Sequence, residues 1–254
     1  MKTLIKNIPN TITCLNLFSG SLACVLVMER NYTGAFIFIV FAAIFDFLDG
    51  FAARLLKAYS PLGKELDSLA DVISFGLAPG LLAFSFLQKI VESSSIGVGI
   101  HFLGFLIPIF AAIRLAKFNI DTRQTNSFLG LPVPANALFW GALIPTLNAV
   151  FFGNELEIFP IGNYIQKMEG IYGNDLFLSI IIISFIIIFC LLMVSELPMF
   201  SLKFKNYNWK GNELQYSLII ITILLIIFFR IFGVSLSILA YILMSTLNNA
   251  RKRN

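Results

Sequence analysis

Phe45-Asp46-Phe47-Leu48-Asp49-Gly50-Phe51-Ala52-Ala53-Arg54, followed shortly by Pro61-Leu62-Gly63-Lys64-Glu65-Leu66-Asp67-Ser68-Leu69-Ala70-Asp71, sets four aspartates into an otherwise apolar chain. On a helix, Asp46 and Asp49 (i,i+3) lie about 60° apart around the axis and Asp67 and Asp71 (i,i+4) about 40° apart, so each pair shares a face. Tyr59-Ser60-Pro61-Leu62-Gly63 between them has turn chemistry, which predicts two antiparallel helices whose carboxylate faces converge. An ionised side chain at the centre of a membrane helix costs about 2.5–3.5 kcal/mol on insertion scales, and less near an interface. Arg54 and Lys64 offset part of that charge, and divalent cations are the natural counter-charge for the remainder. Gly50, Ala53 and Gly63 lack bulk and leave room for a flat or phosphorylated ligand against the backbone. A single aspartate at a helix end reads best as a cap or a salt bridge. Four on convergent faces do not.

The surrounding chain explains why such a cost arises. Of its 254 residues 58% are hydrophobic and 13% charged, with a mean hydropathy of +0.86, where soluble domains carry about 25% charged residues. Long apolar runs alternate with short charged clusters and show no period-2 alternation, so the expected fold is all-α, a polytopic membrane bundle and not a barrel. The expected spans are 12–28, 34–55, 66–87, 99–117, 133–152, 176–195, 214–232 and 234–248, eight helices in one catalytic domain over 1–254. The last two join at Phe232-Gly233. With the N-terminus in the cytoplasm, only Arg30, Lys89, Lys167 and Arg230 of the 18 lysines and arginines lie outside, which places both termini and the aspartates inside. Loop 153–175, with Glu155, Glu157, Glu169 and Asp175, then faces out. The protein is expected in the cell's cytoplasmic membrane.

Several features read as ordinary. The net charge of +4 reflects cytoplasmic anchors that attract anionic headgroups, and nothing points to nucleic acid. Lys2 and Lys6 ahead of an apolar core imitate a signal peptide, but Ser21 and the spans that follow favour an uncut first helix. Cys14, Cys24 and Cys190 are odd in number and contain no CxxC, so they are expected as small packing residues. Gly76 and Gly80 form a GxxxG expected to pack helices. The lone His101 suits a helix end.

The aspartate segment reads D-x2-D-G-x2-A-R-x8-G-x3-D-x3-D without a mismatch, and in this it resembles the CDP-alcohol phosphatidyltransferases. The resemblance implies two divalent ions, Mg2+ or Mn2+ with Ca2+ as a further option, held by Asp46, Asp49, Asp67 and Asp71 against a CDP pyrophosphate. It makes Asp71 the general base and assigns Gly50, Ala53, Arg54 and Gly63 to the CDP site. The physical logic agrees: alcohol attack on the lipid-linked phosphorus needs positioning, charge neutralisation and a proton acceptor.

Further segments resemble the branch of that family whose acceptor is L-serine. They are Pro9-Asn10-Thr11-Ile12-Thr13 with Asn16, Asp67–Asp71 running into Ser74-Phe75-Gly76-Leu77-Ala78-Pro79, Arg114-Leu115-Ala116-Lys117-Phe118-Asn119, and Phe128-Leu129-Gly130-Leu131-Pro132-Val133-Pro134-Ala135. The reaction implied takes CDP-diacylglycerol and L-serine to phosphatidylserine and CMP, with glycerol 3-phosphate or inositol as the alternative acceptors and a homodimer as the implied assembly. A zwitterionic acceptor wants a cation for its carboxylate, and Arg114, Lys117 and Arg123 follow the fourth span at the level of the aspartates. Lys117 stands where the branch usually has arginine, which keeps the charge but gives up bidentate pairing. Asn16 and Asn136, polar among apolar neighbours, are further lining candidates, Asn16 on the CDP side and Asn136 on the serine side. Two rivals fit less well. Membrane prenyltransferases carry a third acid where this chain has Ala53, and separate their motifs by more than the 17 residues between Asp49 and Asp67. A metal-ion transporter would place its carboxylates near the midplane, often with a repeat.

Overall fold

The computed structural model describes residues 2–93, 99–120, 128–152, 175–200 and 208–253. In chain order these form α1 (Lys2–Met28), α2 (Tyr32–Leu55), α3 (Pro61–Asp71), a π-helical turn (Val72–Leu77), α4 (Ala78–Ser93), a 3-10 turn (Ile100–Phe105), α5 (Leu106–Ile120), α6 (Val133–Phe152), α7 (Asp175–Val194), α8 (Glu213–Phe229) and α9 (Ile231–Arg253). Among the described residues seven helical stretches are long and apolar enough to cross a bilayer, and α8, at 17 residues, is a shorter apolar helix. Apolar helices therefore stand at all eight expected positions, seven of them long enough to span, in a helical bundle. In lipid every backbone group must be satisfied within the protein, and helices achieve that segment by segment.

The boundaries follow local chemistry. Asn31 caps α2 by accepting from Gly34 N–H at 2.9 Å, and Ser60 caps α3 by accepting from Gly63 N–H at 3.0 Å, with Pro61 in the first turn. The third span is longer than expected, because α3, the π turn and α4 run on as one stretch from Pro61 to Glu92. The break between the last two helices falls at Arg230 (φ 49°), ahead of the expected Phe232-Gly233. Gly233 serves a different need there. A Cβ on it would lie 2.7 Å from Ile226 N, so only glycine lets the start of α9 cross the end of α8 this closely.

Packing in lipid depends on close fit more than on solvent exclusion. The helix α6 is largely enclosed, with Asn136, Phe139, Trp140 and Ile144 buried on successive turns. On α7, Leu178, Ile182, Ile186, Phe189 and Met193 turn inward at helical spacing while Ile180, Ile187, Ile188 and Leu191 face out. The Phe139 and Phe189 rings stack 4.0 Å apart. Gly76 and Gly80 meet α5 as the GxxxG reading expects: a Cβ on Gly76 would lie 3.2 Å from Ala111 Cβ, and one on Gly80 2.6 Å from Pro108 Cδ. Cys190 is buried and Cys24 half-buried, but Cys14 faces outward, so the packing expectation fails for that cysteine.

A two-residue antiparallel ladder, β1 (Phe128–Leu129) with β2 (Pro198–Met199), was not foreseen. It pairs Phe128 with Met199 and Leu129 with Pro198, tying the start of α6 to the chain beyond α7. Tyr241 donates to the Phe200 carbonyl at 3.0 Å, which fixes α9 to the same strap.

Candidate active site

The site begins on α1. Thr13, Asn16, Gly20, Ala23 and Val27 recur at helical spacing and form the buried face of that helix. At Gly20 the contact is closest, since a Cβ there would lie 2.6 Å from Ser74 Cα. The π turn supplies Ser74: the Ala78 N–H reaches back to the Ile73 carbonyl, an i→i−5 bond. Such a turn adds one residue to the local winding and shifts the phase of everything after it. Asp67 and Asp71 thereby stay turned towards the site while α4 presents Leu82, Phe86 and Ile90 to the core.

Asp46, Asp49 and Asp67 meet as the spacing predicted. Each offers an oxygen, and the three oxygens lie within 4.8 Å of one another. Asp71, one turn further along than Asp67, is not part of that triad. Its Oδ1 accepts from Asn16 Nδ2 at 3.2 Å, while the Ser74 hydroxyl donates to the Asn16 carbonyl at 3.0 Å. Asp49 Oδ2 accepts from the Thr13 hydroxyl at 2.7 Å. Asp67 Oδ1 is buried without a hydrogen-bond partner among the described residues. Three carboxylates facing one another, one with an orphaned buried oxygen, have the donor set of a hard divalent cation.

A cavity of about 500 Å³ adjoins the triad, with Asp49 and Asp67 on its wall. Gly50, Ala53 and Gly63 line it, as expected for positions that must admit a ligand, and Pro9, Asn10 and Thr13 form the α1 side. At Gly63 a Cβ would lie 2.8 Å from Asn10 Oδ1. Arg54 is exposed beside the wall, its Nη1 3.7 Å from where a Gly50 Cβ would stand. Lys64 lines the cavity and donates to the Asn119 carbonyl at 3.2 Å, and Asn119 Nδ2 donates to Ser68 Oγ at 2.8 Å. The end of α5 is thus clamped to α3 beside the cavity. Thr13, Asn10, Ser74 and Asn119 were not singled out as site residues from the sequence. The signal for the first was there: a threonine three residues before a buried asparagine in an apolar helix.

The remaining expectations divide. Arg114 is buried and donates from Nε to the Leu131 carbonyl at 2.7 Å and from Nη2 to the Leu129 carbonyl at 3.4 Å. One edge of its guanidinium therefore holds the 129–131 strap, and Arg, with five donors, keeps the rest of the fork. Lys117 is exposed. Asn136 is fully buried, with neither end of its amide bonded among the described residues. Arg123 and residues 153–174 of the expected outer loop lie outside the described residues.

At the other end of α2, Arg30 pairs with Glu92 at 2.8 Å, and Lys89 donates to Asn148 at 2.8 Å while lying over the Phe152 ring. All the carboxylates of the triad and its cavity belong to the opposite end.

These features define a multi-pass membrane protein with a cluster of three carboxylates against a cavity of about 500 Å³. The sequence profile of the CDP-alcohol phosphatidyltransferases matches residues 6–169, and the chain belongs to that family. It is 31% identical over 224 residues to the CDP-diacylglycerol–serine O-phosphatidyltransferase of Helicobacter pylori, covering 87% of this chain and 81% of the relative. The Methanocaldococcus jannaschii protein of that name is 33% identical over 202 residues, 78% of this chain and 88% of its own. The Bacillus subtilis one is 39% identical over 147 residues, 56% of this chain and 78% of its own.

Proposed function

We propose that this chain transfers the phosphatidyl group of CDP-diacylglycerol to the hydroxyl of L-serine, giving phosphatidylserine and CMP. The observation that carries the reading is the meeting of Asp46, Asp49 and Asp67 on the cavity that Gly50, Ala53 and Gly63 keep open. Asp46, Asp49 and Asp67, with Asp71 a turn beyond, would hold two divalent cations, Mg2+ or Mn2+, which neutralise the pyrophosphate and the departing CMP. The small wall residues admit the CDP group, and Arg54 and Lys64 add positive charge at the cavity's rim. The serine hydroxyl attacks the lipid-linked phosphorus, the bond to the CMP oxygen breaks, and Asp71 takes the hydroxyl proton. Asn16 holds the Asp71 carboxylate in a fixed orientation for that transfer. The free edge of Arg114 and the exposed Lys117 are the candidate partners of the serine carboxylate, with Asn136 behind them.

The test is CMP release from CDP-diacylglycerol in membranes supplied in turn with serine, ethanolamine, serinol, glycerol 3-phosphate and inositol. Serine is expected to react at least about tenfold faster than ethanolamine or serinol, since these lack the carboxylate and its charge-assisted contact. Equal rates with ethanolamine or glycerol 3-phosphate would remove serine as the acceptor and leave the phosphatidyl transfer standing.

We also infer that the site faces the cytoplasm, because the charge bias sets Lys57 and Lys64 inside. The 24 residues of α2 span about 36 Å, so Glu29 and Leu56 flank opposite membrane faces. In a cysteine-free background, Glu29→Cys is expected to react with an impermeant maleimide on intact cells and Leu56→Cys only after lysis. The reverse pattern overturns the orientation.

A further inference from the structure

Asn16, on α1, sits between the carboxylates and the π turn, and its surface is fully buried. Its backbone carbonyl is pinned by the Ser74 hydroxyl and its Nδ2 by Asp71 Oδ1. Turning the amide over would set two acceptors against each other, so the carbonyl end is directed away from Asp71 Oδ1. That carbonyl oxygen, Oδ1, has no donor among the described residues. Buried acceptors are rarely left so, because an unmet hydrogen bond of this kind is costly. Its neighbours are paired: Thr13 serves Asp49, and Ser74 serves the Asn16 backbone. Asp67 Oδ1, also without a partner among the described residues, is charged and belongs to the triad that suits a cation. Asn16 Oδ1 is neutral, stands beside the proposed base, and needs a donor.

Resting on the serine-transfer reading, we propose that Asn16 Oδ1 accepts a hydrogen bond from the ammonium of the incoming amino alcohol and so selects acceptors bearing an amine next to the hydroxyl carbon. An acceptor whose hydroxyl meets Asp71 carries its ammonium on the adjacent carbon, and the Asn16 amide is bonded to that same carboxylate. One side chain thus orients the base through its Nδ2 and reads the acceptor through its Oδ1. This moves Asn16 from the CDP side, where it was expected as a polar residue among apolar neighbours, to the acceptor.

The experiment compares L-serine with 3-hydroxypropanoate, which keeps the hydroxyl and the carboxylate and lacks the amine. Loss of the Asp71 contact slows both acceptors alike, so the ratio of their kcat/KM values isolates the ammonium contact. Asn16→Ala is expected to lower the serine to 3-hydroxypropanoate ratio by about tenfold to a hundredfold, the scale of a charge-assisted hydrogen bond. Asn16→Asp, which keeps an acceptor oxygen, is expected to retain the wild-type ratio while slowing both reactions. Stabilisation by CDP with Mg2+ in a melting assay checks that each variant is folded, and Asn16→Leu replaces Asn16→Ala if the latter fails that check. An equal fall for both acceptors overturns the proposal and leaves Asn16 as a positioning residue for Asp71. A wild-type protein that does not use serine at all refutes the underlying function instead.

Discussion

Asp46→Asn, Asp49→Asn, Asp67→Asn and Asp71→Asn are each expected to cut CMP release by at least about a hundredfold, the scale on which losing one preorganised electrostatic group is felt. The substitution preserves shape and removes a charge. Three of these carboxylates crowd within 4.8 Å of one another, and like charges this close repel strongly when nothing positive lies between them. Each variant of the triad should therefore insert normally and, freed of metal, melt no lower than the wild type. Activity and stability then move in different directions, which separates a cation-holding role from a structural one. EDTA should abolish turnover and added Mg2+ or Mn2+ restore it. Full activity in rigorously metal-free buffer would sink the cation site, and a variant that fails to insert would make the aspartates structural.

Gly20→Val should be nearly as damaging although Gly20 touches no proposed ligand. Its Cβ would lie 2.6 Å from Ser74 Cα, a backbone atom that cannot swing aside as a long side chain can. Overpacking of this kind costs about 1–3 kcal/mol or more. The strain is relieved by parting α1 from the π turn, and that parting breaks the Ser74–Asn16 and Asn16–Asp71 bonds together. The expected result is a lower melting temperature in detergent and a loss of CMP release approaching that of Asp71→Asn. Gly50→Ala is the comparison, because its Cβ meets nothing nearer than Arg54 Nη1 at 3.7 Å. That variant should melt as the wild type does, with its effect confined to ligand affinity. If Gly20→Val keeps its activity, the tight contact of α1 with the π turn is dispensable.

The sequence by itself determined the class of fold and that the acidic pairs share helix faces. A helix repeats every 3.6 residues and a bilayer demands about 20 apolar ones, so composition and spacing were enough to predict eight spans and to bring Asp46 and Asp49 onto one face and Asp67 and Asp71 onto another. The small residues Gly50, Ala53 and Gly63 were equally readable, because absence of bulk is a local property. What depends on winding was hidden. The π turn at Val72–Leu77 follows from how Ser74 and Gly76 fit against α1 and α5, and no local propensity marks it. Only the tertiary structure decided that Asp71 stands apart from the other three aspartates and bonds Asn16, that Thr13 serves Asp49, and that one edge of Arg114 is taken by the carbonyls of Leu129 and Leu131. Those partners are 15 to 55 residues away along the chain, and a hydrogen bond over such a separation is set by the packing of whole helices, which spacing within one helix does not encode.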